Sequence, residues 1–272
     1  MNRKIVRIAG CLRALATALT LWVAVSPAPT LAQGPAQNSW QHIAAAADLQ
    51  FALPEIVAAF TRSGGAPLKL SFGSSGNFAR QIAQGAPFEL FLSADERFVA
   101  QVIAAQRAEG TGMHYATGRL ALFLPNGSPI RADRNLADFA AAVRDGRLKR
   151  LAIANPEHAP YGRAAREVLE QRGLWSAVHD KLALGDNAAQ AAQFAASGAA
   201  QAGLIPLSLA RAPELAARGG YVTLPEIWHT PLRQTLVLVK GVGPTARAFA
   251  EFLRGPQARE ILTRNGFGLP AP

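Results

Sequence analysis

The segment SFGSSGNFARQIAQGAPFELFLSAD, residues 71–95, places two serines between two glycines at the start of a helical pattern. Ser is a favoured N-cap residue because its hydroxyl oxygen accepts a backbone N–H of the first helical turn. Capping needs only one of Ser74 and Ser75. Gly73 and Gly76 allow a close approach of the backbone, and free N–H groups at a helix start can bind an anion. The segment therefore predicts a helix cap, an anion site, or both.

Short apolar runs alternate with helical patterns along the rest of the chain. Strands are predicted over 42–47, 68–72, 88–94, 119–125, 150–155, 202–207 and 235–240, and helices over 77–84, 163–171, 188–196, 245–254 and 256–265. Continuous apolar strands that alternate with helices are typical of α/β proteins with largely parallel sheets. The fold class predicted from this pattern is α/β.

Small or polar residues follow several of these strands. They are Asp48, the Ser74–Ser75 pair, and the segments 155–163 and 185–187. Ligands of open α/β sheets bind beyond the carboxyl ends of the strands, where the following helices begin. If these junctions converge, they form a ring of helix N-termini rich in N–H and O–H donors. Such a ring suits a small, multiply charged oxyanion.

The first 32 residues have the organisation of a secretory signal peptide. A basic start precedes the apolar run 14–25, and the small or tolerated residues at 30–32 permit cleavage before Gln33. A membrane anchor is the alternative, but the apolar run is shorter than the roughly 20 residues that a membrane-spanning helix needs. We therefore expect a cleaved signal peptide, 1–32, and a periplasmic protein.

Cleavage would change the composition of the chain. Four of the 28 Lys and Arg residues and none of the 18 Asp and Glu residues precede Gln33, which leaves a mildly basic protein with a net charge of +6. Cys11, the one cysteine, would leave with the peptide, so disulfides and cysteine chemistry are not expected. The sequence has no basic cluster with interleaved aromatic residues, so it gives no support for nucleic-acid binding.

Four segments together resemble the periplasmic molybdate-binding proteins of ABC transporters, over about residues 43–268. They are 72–95, LAIANPEHAPYGRAA (151–165), GDNAAQAAQFAASGAAQAGLIPLSLA (185–210) and FLRGPQAREILTRNGF (252–267). The resemblance implies a two-lobed type II periplasmic binding protein fold. Two mixed, mostly parallel sheets flanked by helices would form lobe 1 (40–116 plus 232–272) and lobe 2 (117–231). The ligand would bind in the cleft between the lobes, and the chain would cross between them near 114–120 and 228–236.

The same resemblance assigns binding residues. It implies that Ser75 donates its hydroxyl and N–H groups to the oxyanion while Ser74 shapes the loop. Tyr161 and Ala188 fall at positions that donate a backbone N–H from a helix start. Pro206 aligns with a position that is a ligand-contacting Tyr in some members. Because proline has neither an N–H nor a hydroxyl group, that contact is lost, and Tyr161 is a candidate to replace it.

Asp48 aligns with a first-loop position where many members of the family have Ser. A carboxylate that faces a dianion is repelled by it, and burial increases the repulsion. Asp48 therefore either caps the next helix and turns away, or is protonated and donates a hydrogen bond. Capping is the preferred interpretation, because Asp is a good N-cap residue.

The resemblance implies a monomer that captures molybdate or tungstate and delivers it to an ABC permease in the inner membrane. It implies no catalysis, no cofactor and no residue that ligates the metal directly. Alternatives are another oxyanion such as sulfate, a serine hydrolase that uses Ser74 or Ser75 with His158, or a cytoplasmic ligand-sensing domain of a transcription factor. GSSGN does not fit the G-x-S-x-G nucleophile motif. The signal peptide and the lack of a DNA-binding segment argue against the last class.

Overall fold

The computed structural model describes residues 41–270. The predicted signal peptide lies outside the described residues. The described part contains ten strands: β1 (Gln41–Ala46), β2 (Leu68–Gly73), β3 (Leu90–Ser93), β4 (Ala108–Gly118), β5 (Leu120–Pro125), β6 (Leu151–Ala154), β7 (Leu182–Gly185), β8 (Ala202–Pro206), β9 (Gly219–Thr223) and β10 (Leu232–Val239).

Eleven helices accompany these strands in the described part of the chain. They are α1 (Ala52–Arg62), α2 (Ser75–Ala83), α3 (Glu96–Ala104), α4 (Ala137–Asp145), α5 (Pro160–Gln171), α6 (Trp175–Val178), α7 (Ala188–Ala196), α8 (Leu207–Ala210), α9 (Pro213–Ala216), α10 (Pro244–Phe252) and α11 (Pro256–Arg264). Between residues 41 and 270, no helix is both long and apolar enough to cross a membrane.

The strands form two mixed five-stranded sheets, as the resemblance predicts. The first sheet has the order β2-β1-β3-β10-β4, and the second has the order β7-β6-β8-β5-β9. In each sheet, two of the four pairings between the described strands are parallel and two are antiparallel. The parallel share is therefore smaller than the alternation of strands and helices suggests. The chain passes from the first sheet to the second between β4 and β5, and it returns between β9 and β10.

All three strands that the apolar pattern misses lie at sheet edges. They are β4, β7 and β9. Their residues are largely half-buried or exposed, whereas β3, β5, β6 and β8 are buried throughout. An edge strand has fewer neighbours to cover its side chains, and these three carry no continuous apolar run that the sequence could reveal. The fourth edge strand, β2, is the exception, because the run 68–72 predicts it.

Helices cover both faces of the first sheet. Helices α1, α10 and α11 pack with one apolar cluster, which includes a T-shaped contact between Phe60 and Phe249. Helices α2 and α3 pack with a second cluster, around Phe78 and Phe91. The second sheet shares one large apolar cluster with α4, α5 and α7. These layers hold the starts of α2, α5 and α7 in fixed positions at the ends of their strands.

The start of α5 packs directly onto the end of β6. Pro160 occupies the first helical turn, where its fixed φ and missing N–H are tolerated. A Cβ atom at Gly162 would lie 2.1 Å from the carbonyl oxygen of Ala154. Only glycine allows this approach, which also fixes the position of the preceding residue, Tyr161.

Overpacking a protein core usually costs about 1–3 kcal/mol. We therefore expect Gly162→Ala to lower the free energy of unfolding by at least that amount. The matched control is Gly220→Ala in β9, because a Cβ atom there meets nothing within 4 Å. That variant should be neutral or stabilising, by up to about 1 kcal/mol. Urea denaturation of both variants measures the difference. Equal stabilities would show that α5 can shift away from β6 without cost.

Candidate functional site

Three helix starts and the loop after β1 meet around one small cavity. Its volume is about 10 Å³, close to what a single water molecule needs. The lining residues are Ala46, Ala47, Asp48, Gly73, Ser74, Ser75, Ala94, Ala159, Pro160, Tyr161 and Ala188. The structure thus brings together Asp48, Ser74, Ser75, Tyr161 and Ala188, the five residues that the sequence singles out. Larger cavities, of up to about 530 Å³, contain none of the five.

Helix α2 presents one backbone N–H and one hydroxyl group to the cavity. The Ser74 hydroxyl oxygen caps the helix by accepting the N–H of Asn77 at 3.2 Å. The N–H of Gly76 donates to the carbonyl oxygen of His158 at 2.9 Å. The N–H of Ser75 has no acceptor among the described residues. The Ser75 hydroxyl oxygen accepts the N–H of Ala94 at 3.0 Å, so its own hydrogen is available to a ligand.

Helices α5 and α7 each begin with one N–H group at the cavity that lacks an acceptor among the described residues, as does the N–H of Ser75 in α2. In α7, the Asn187 side chain accepts the N–H groups of Ala189 and Gln190. In α5, the N–H groups of Gly162 and Arg163 donate to the carbonyl oxygen of Ala159. No described residue accepts the N–H of Tyr161 or Ala188. The first N–H groups of a helix have no partner within the helix, so these two can bind a ligand.

The donors around the cavity favour a small anion. Three N–H groups come from the positive ends of three helices, and the Ser75 hydroxyl adds a fourth donor. The lining contains no Lys or Arg. Between residues 41 and 270, no group of three or more His, Cys, Asp or Glu residues could hold a metal ion. An anion at this site would be stabilised by hydrogen bonds and helix dipoles.

Asp48 does not cap a helix, which corrects the preferred interpretation from the sequence. It lies in a short 3₁₀ turn, Ala47–Leu49, and the next helix begins after Phe51 without a side-chain cap. The carboxyl group is 1% exposed. Its Oδ2 atom accepts a hydrogen bond from Gln234 Nε2. Its Oδ1 atom has no hydrogen-bond partner among the described residues.

Asp48 belongs to a buried polar network that joins the two sheets. The Tyr115 hydroxyl donates to Gln234 Oε1 at 2.9 Å, and Gln234 Nε2 also reaches the Tyr161 hydroxyl at 3.3 Å. Burial raises the pKa of Asp48 from 3.8 to about 6, against the opposing effect of the hydrogen bond from Gln234 and of the nearby Tyr161 hydroxyl. Burial and the Asp48 charge also raise the pKa of Tyr161 well above its ordinary value.

Gln234 and Tyr115 are the members of this network that the sequence interpretation missed. Gln234 lies inside the run LRQTLVLV of β10 and is fully buried. A polar residue within an apolar strand was the available signal, but the predicted strand began one residue later, at 235. Pro206, by contrast, ends β8 and does not line the cavity. The Tyr161 hydroxyl accepts a hydrogen bond from Gln234 Nε2, and its replacement of the missing Tyr contact stays a prediction.

His158 lies at the boundary between elements of the two sheets. Its Nδ1 atom is 3.0 Å from the Ser74 hydroxyl oxygen, and its Nε2 atom is 3.7 Å from Asp186 Oδ1. A buried ion pair lies nearby, with Arg163 Nη2 3.1 Å from Asp95 Oδ2. Asp95 also caps α3 by accepting the N–H of Arg97. These contacts hold the starts of α2 and α5 side by side.

The chain matches the family described as bacterial extracellular solute-binding protein over residues 42–268. It therefore belongs to this family. Molybdate-binding protein ModA of Rhodobacter capsulatus is 36% identical over 259 residues, covering 94% of this chain and 96% of that protein. ModA of Azotobacter vinelandii is 35% identical over 237 residues, covering 86% of this chain and 92% of that protein.

A solved structure supports the same relationship. The periplasmic molybdate-binding protein of Azotobacter vinelandii superposes with a TM-score of 0.75 at 28% identity. The superposition covers 85% of this chain and 99% of that one. These relatives are named as binding proteins and not as enzymes.

Because the pKa of Asp48 is raised in the folded protein, the free energy of unfolding should depend on pH. The folded protein holds this proton more tightly than the unfolded chain, so the contribution is fully present below about pH 4 and is lost as the pH rises through about 6. The shift is equivalent to at most about 3 kcal/mol. We expect the free energy of unfolding of the wild type, relative to Asp48→Asn, to fall by up to that amount between these pH values.

Urea denaturation at several pH values measures this difference. Asp180→Asn is the control, because it removes the same charge from a fully exposed side chain. Parallel pH profiles of the wild type and Asp48→Asn would contradict the prediction.

Proposed function

We propose that this protein is the periplasmic solute-binding component of an ABC importer and that it captures a tetrahedral oxyanion, molybdate or tungstate. The observation that carries the proposal is the convergence of three free helix N–H groups and the Ser75 hydroxyl on one cavity without a cationic side chain. Relatives that match nearly the whole chain are named as molybdate-binding proteins, which supports the choice of ligand. Sulfate and other oxyanions are the competing ligands.

The proposal includes the location and the partners. Cleavage of the signal peptide before Gln33 would release a monomer into the periplasm, and the monomer would deliver its ligand to a permease in the inner membrane. The oxyanion is the only ligand required, and no cofactor or catalytic step takes part.

The two sheets are proposed as the cores of two lobes, 40–116 plus 232–272 and 117–231. Strand β4 continues to Gly118, so the first sheet extends two residues beyond the predicted boundary. A four-oxygen anion needs more room than the cavity offers. The lobes would therefore part to admit the anion and close around it, which excludes water and strengthens each donor contact.

A serine hydrolase is the second candidate, and one arrangement favours it. His158 contacts Ser74 at 3.0 Å and Asp186 at 3.7 Å, so the three side chains form a continuous chain of contacts. However, the Ser74 oxygen is already the N-cap of α2 and is 3% exposed. Asp186 is largely exposed, and the cavity has no room for an ester. We assign these residues to the contact between lobes; an acyl-enzyme burst with an activated ester would reverse that assignment.

Calorimetric titration of the ligand-free protein with molybdate, tungstate, sulfate, phosphate and chromate tests the choice of ligand. We expect molybdate and tungstate to bind most tightly. Both should raise the melting temperature, because a ligand that binds only the folded state stabilises it. No thermal shift with molybdate, together with a shift from another solute, would assign the function to that solute.

Ser75→Ala tests the site directly. A hydrogen bond to a charged group contributes about 1.5–3 kcal/mol, so oxyanion affinity should fall by about 10- to 100-fold. The variant also leaves the N–H of Ala94 without its acceptor, which costs about 1–3 kcal/mol of stability.

Ser74→Ala is the control for Ser75→Ala. It removes the cap of α2 and should lower stability by about 0.5–2 kcal/mol, with the smaller effect on affinity. Calorimetric affinity and urea stability are measured on both variants. If Ser75→Ala binds the oxyanion as tightly as the wild type, the Ser75 hydroxyl is not a ligand contact.

A further inference from the structure

A buried carboxyl group at an anion site requires a physical explanation. Asp48 lines the cavity, and its Oδ2 atom is held by Gln234 Nε2. The Oδ1 atom is buried and has no hydrogen-bond partner in the described part of the chain. In its ionised form, this atom would add a negative charge to a cavity whose other free polar groups are donors. In its protonated form, it would be one more donor.

We propose that oxyanion capture is linked to protonation of Asp48: the carboxyl group takes up one proton as the anion binds, and its O–H then donates to a ligand oxygen. The inference rests on the proposed function, because it concerns the same cavity. It also narrows the ligand class. A cavity lined only by donors fits a fully deprotonated oxyanion and rejects one that must itself donate a proton.

The surrounding network keeps Asp48 in place through this change. The Tyr115 hydroxyl donates to Gln234 Oε1, which directs the Gln234 amide nitrogen toward Asp48 Oδ2. The Ser208 hydroxyl donates to the backbone carbonyl oxygen of Asp48 at 2.8 Å. Oδ2 therefore keeps its donor in either protonation state, and the proton is left for Oδ1.

The groups that face Asp48 provide no competing titration close to it. Helices α7 and α8 pack against its 3₁₀ turn and carry no ionisable side chain. Burial raises the pKa of both Tyr115 and Tyr161 well above the ordinary value, so both stay neutral. Neighbouring elements carry other charged or titratable side chains, namely His42 on β1, Lys69 on β2, Glu109 and His114 on β4, Arg163, Arg166, Glu167 and Glu170 on α5, Arg233 on β10, and His158 beside Ser74. Of these, His158 is the group to exclude by experiment.

The proposal makes affinity depend on pH in a defined direction. Burial raises the pKa of Asp48 to about 6 before any anion is present, and a neighbouring dianion raises it further. Above about pH 6, the association constant should fall about tenfold for each pH unit, because one proton must be taken up. Well below that pH, Asp48 is already protonated and the dependence disappears.

Calorimetric titration with sodium molybdate, from about pH 5 to about pH 8.5, tests the predicted pH dependence of the association constant. Each titration is run in two buffers with different ionisation enthalpies, so that the heat reports the number of protons taken up. Blank titrations correct for protonation of molybdate itself. We expect uptake of close to one proton by the wild type at the alkaline end and close to none at the acid end.

Asp48→Asn keeps an acceptor for Gln234 and an N–H donor for the ligand while removing the charge. This variant should bind molybdate with no proton uptake and no slope, and more tightly than the wild type at the alkaline end. His158→Gln is the control and should keep the slope, whatever its affinity. Wild-type binding without proton uptake, or a slope that survives in Asp48→Asn, would overturn the proposal.

A second measurement does not depend on the variant. The carboxyl carbon of Asp48, followed by NMR in the wild type, should titrate near pH 6 in the free protein and remain protonated to a higher pH with molybdate bound. An ionised Asp48 in the complex would overturn the inference. Failure of the folded protein to bind molybdate or tungstate at any pH would instead remove the proposed function, and this inference with it.

Discussion

The hydrogen bond from the N–H of Gly76 to the carbonyl oxygen of His158 sets how closely the two sheets approach each other at the site. A Cβ atom at Gly76 would lie 2.7 Å from that oxygen and 2.9 Å from the His158 Cβ atom. Any other residue would therefore push the start of α2 away from the loop before α5. The distances from the N–H group of Ser75 to those of Tyr161 and Ala188 depend on this contact. Gly118 likewise permits a close approach, because a Cβ atom there would lie 2.3 Å from the Tyr161 hydroxyl oxygen.

The proposed site would bind a charged ligand with neutral groups. A fixed Lys or Arg would attract many anions and would need a counter-charge in the closed cavity, where burying unpaired charge is costly. Oriented N–H groups carry only partial charges, and their helices hold them in place before the ligand arrives. The one carboxyl group in the lining, that of Asp48, has the sign that opposes an anion when it is ionised, so under our proposal its protonation state decides whether the cavity repels or accepts one. The buried ion pair between Arg163 and Asp95 lies outside the cavity and joins α5 to the start of α3.

The sequence predicted the buried strands and a helix close to α2, and it singled out five residues that line the cavity; their role in ligand binding stays a prediction. These features depend on local patterns: continuous apolar runs, capping residues, and small residues at strand ends. The apolar pattern did not predict β4, β7 and β9, because these three edge strands lack a continuous apolar run. The role of Asp48 was misjudged because it depends on Gln234, which lies 186 positions away along the chain. Contacts between distant segments, such as Ser74 with His158, leave no periodic trace in a single sequence.

Two of the proposed ligand contacts, at Tyr161 and Ala188, are made by the main chain alone. A substitution at such a position leaves the donor in place as long as the helix begins at the same residue, so drift in the side chains hardly alters what the pocket accepts. Selectivity can then evolve through very few positions, chiefly Asp48 and Ser75, whose side chains carry the remaining contacts. Under the proposed function, relatives that differ widely in sequence can therefore bind the same ligand, and a single exchange at either position can change which ligand is bound.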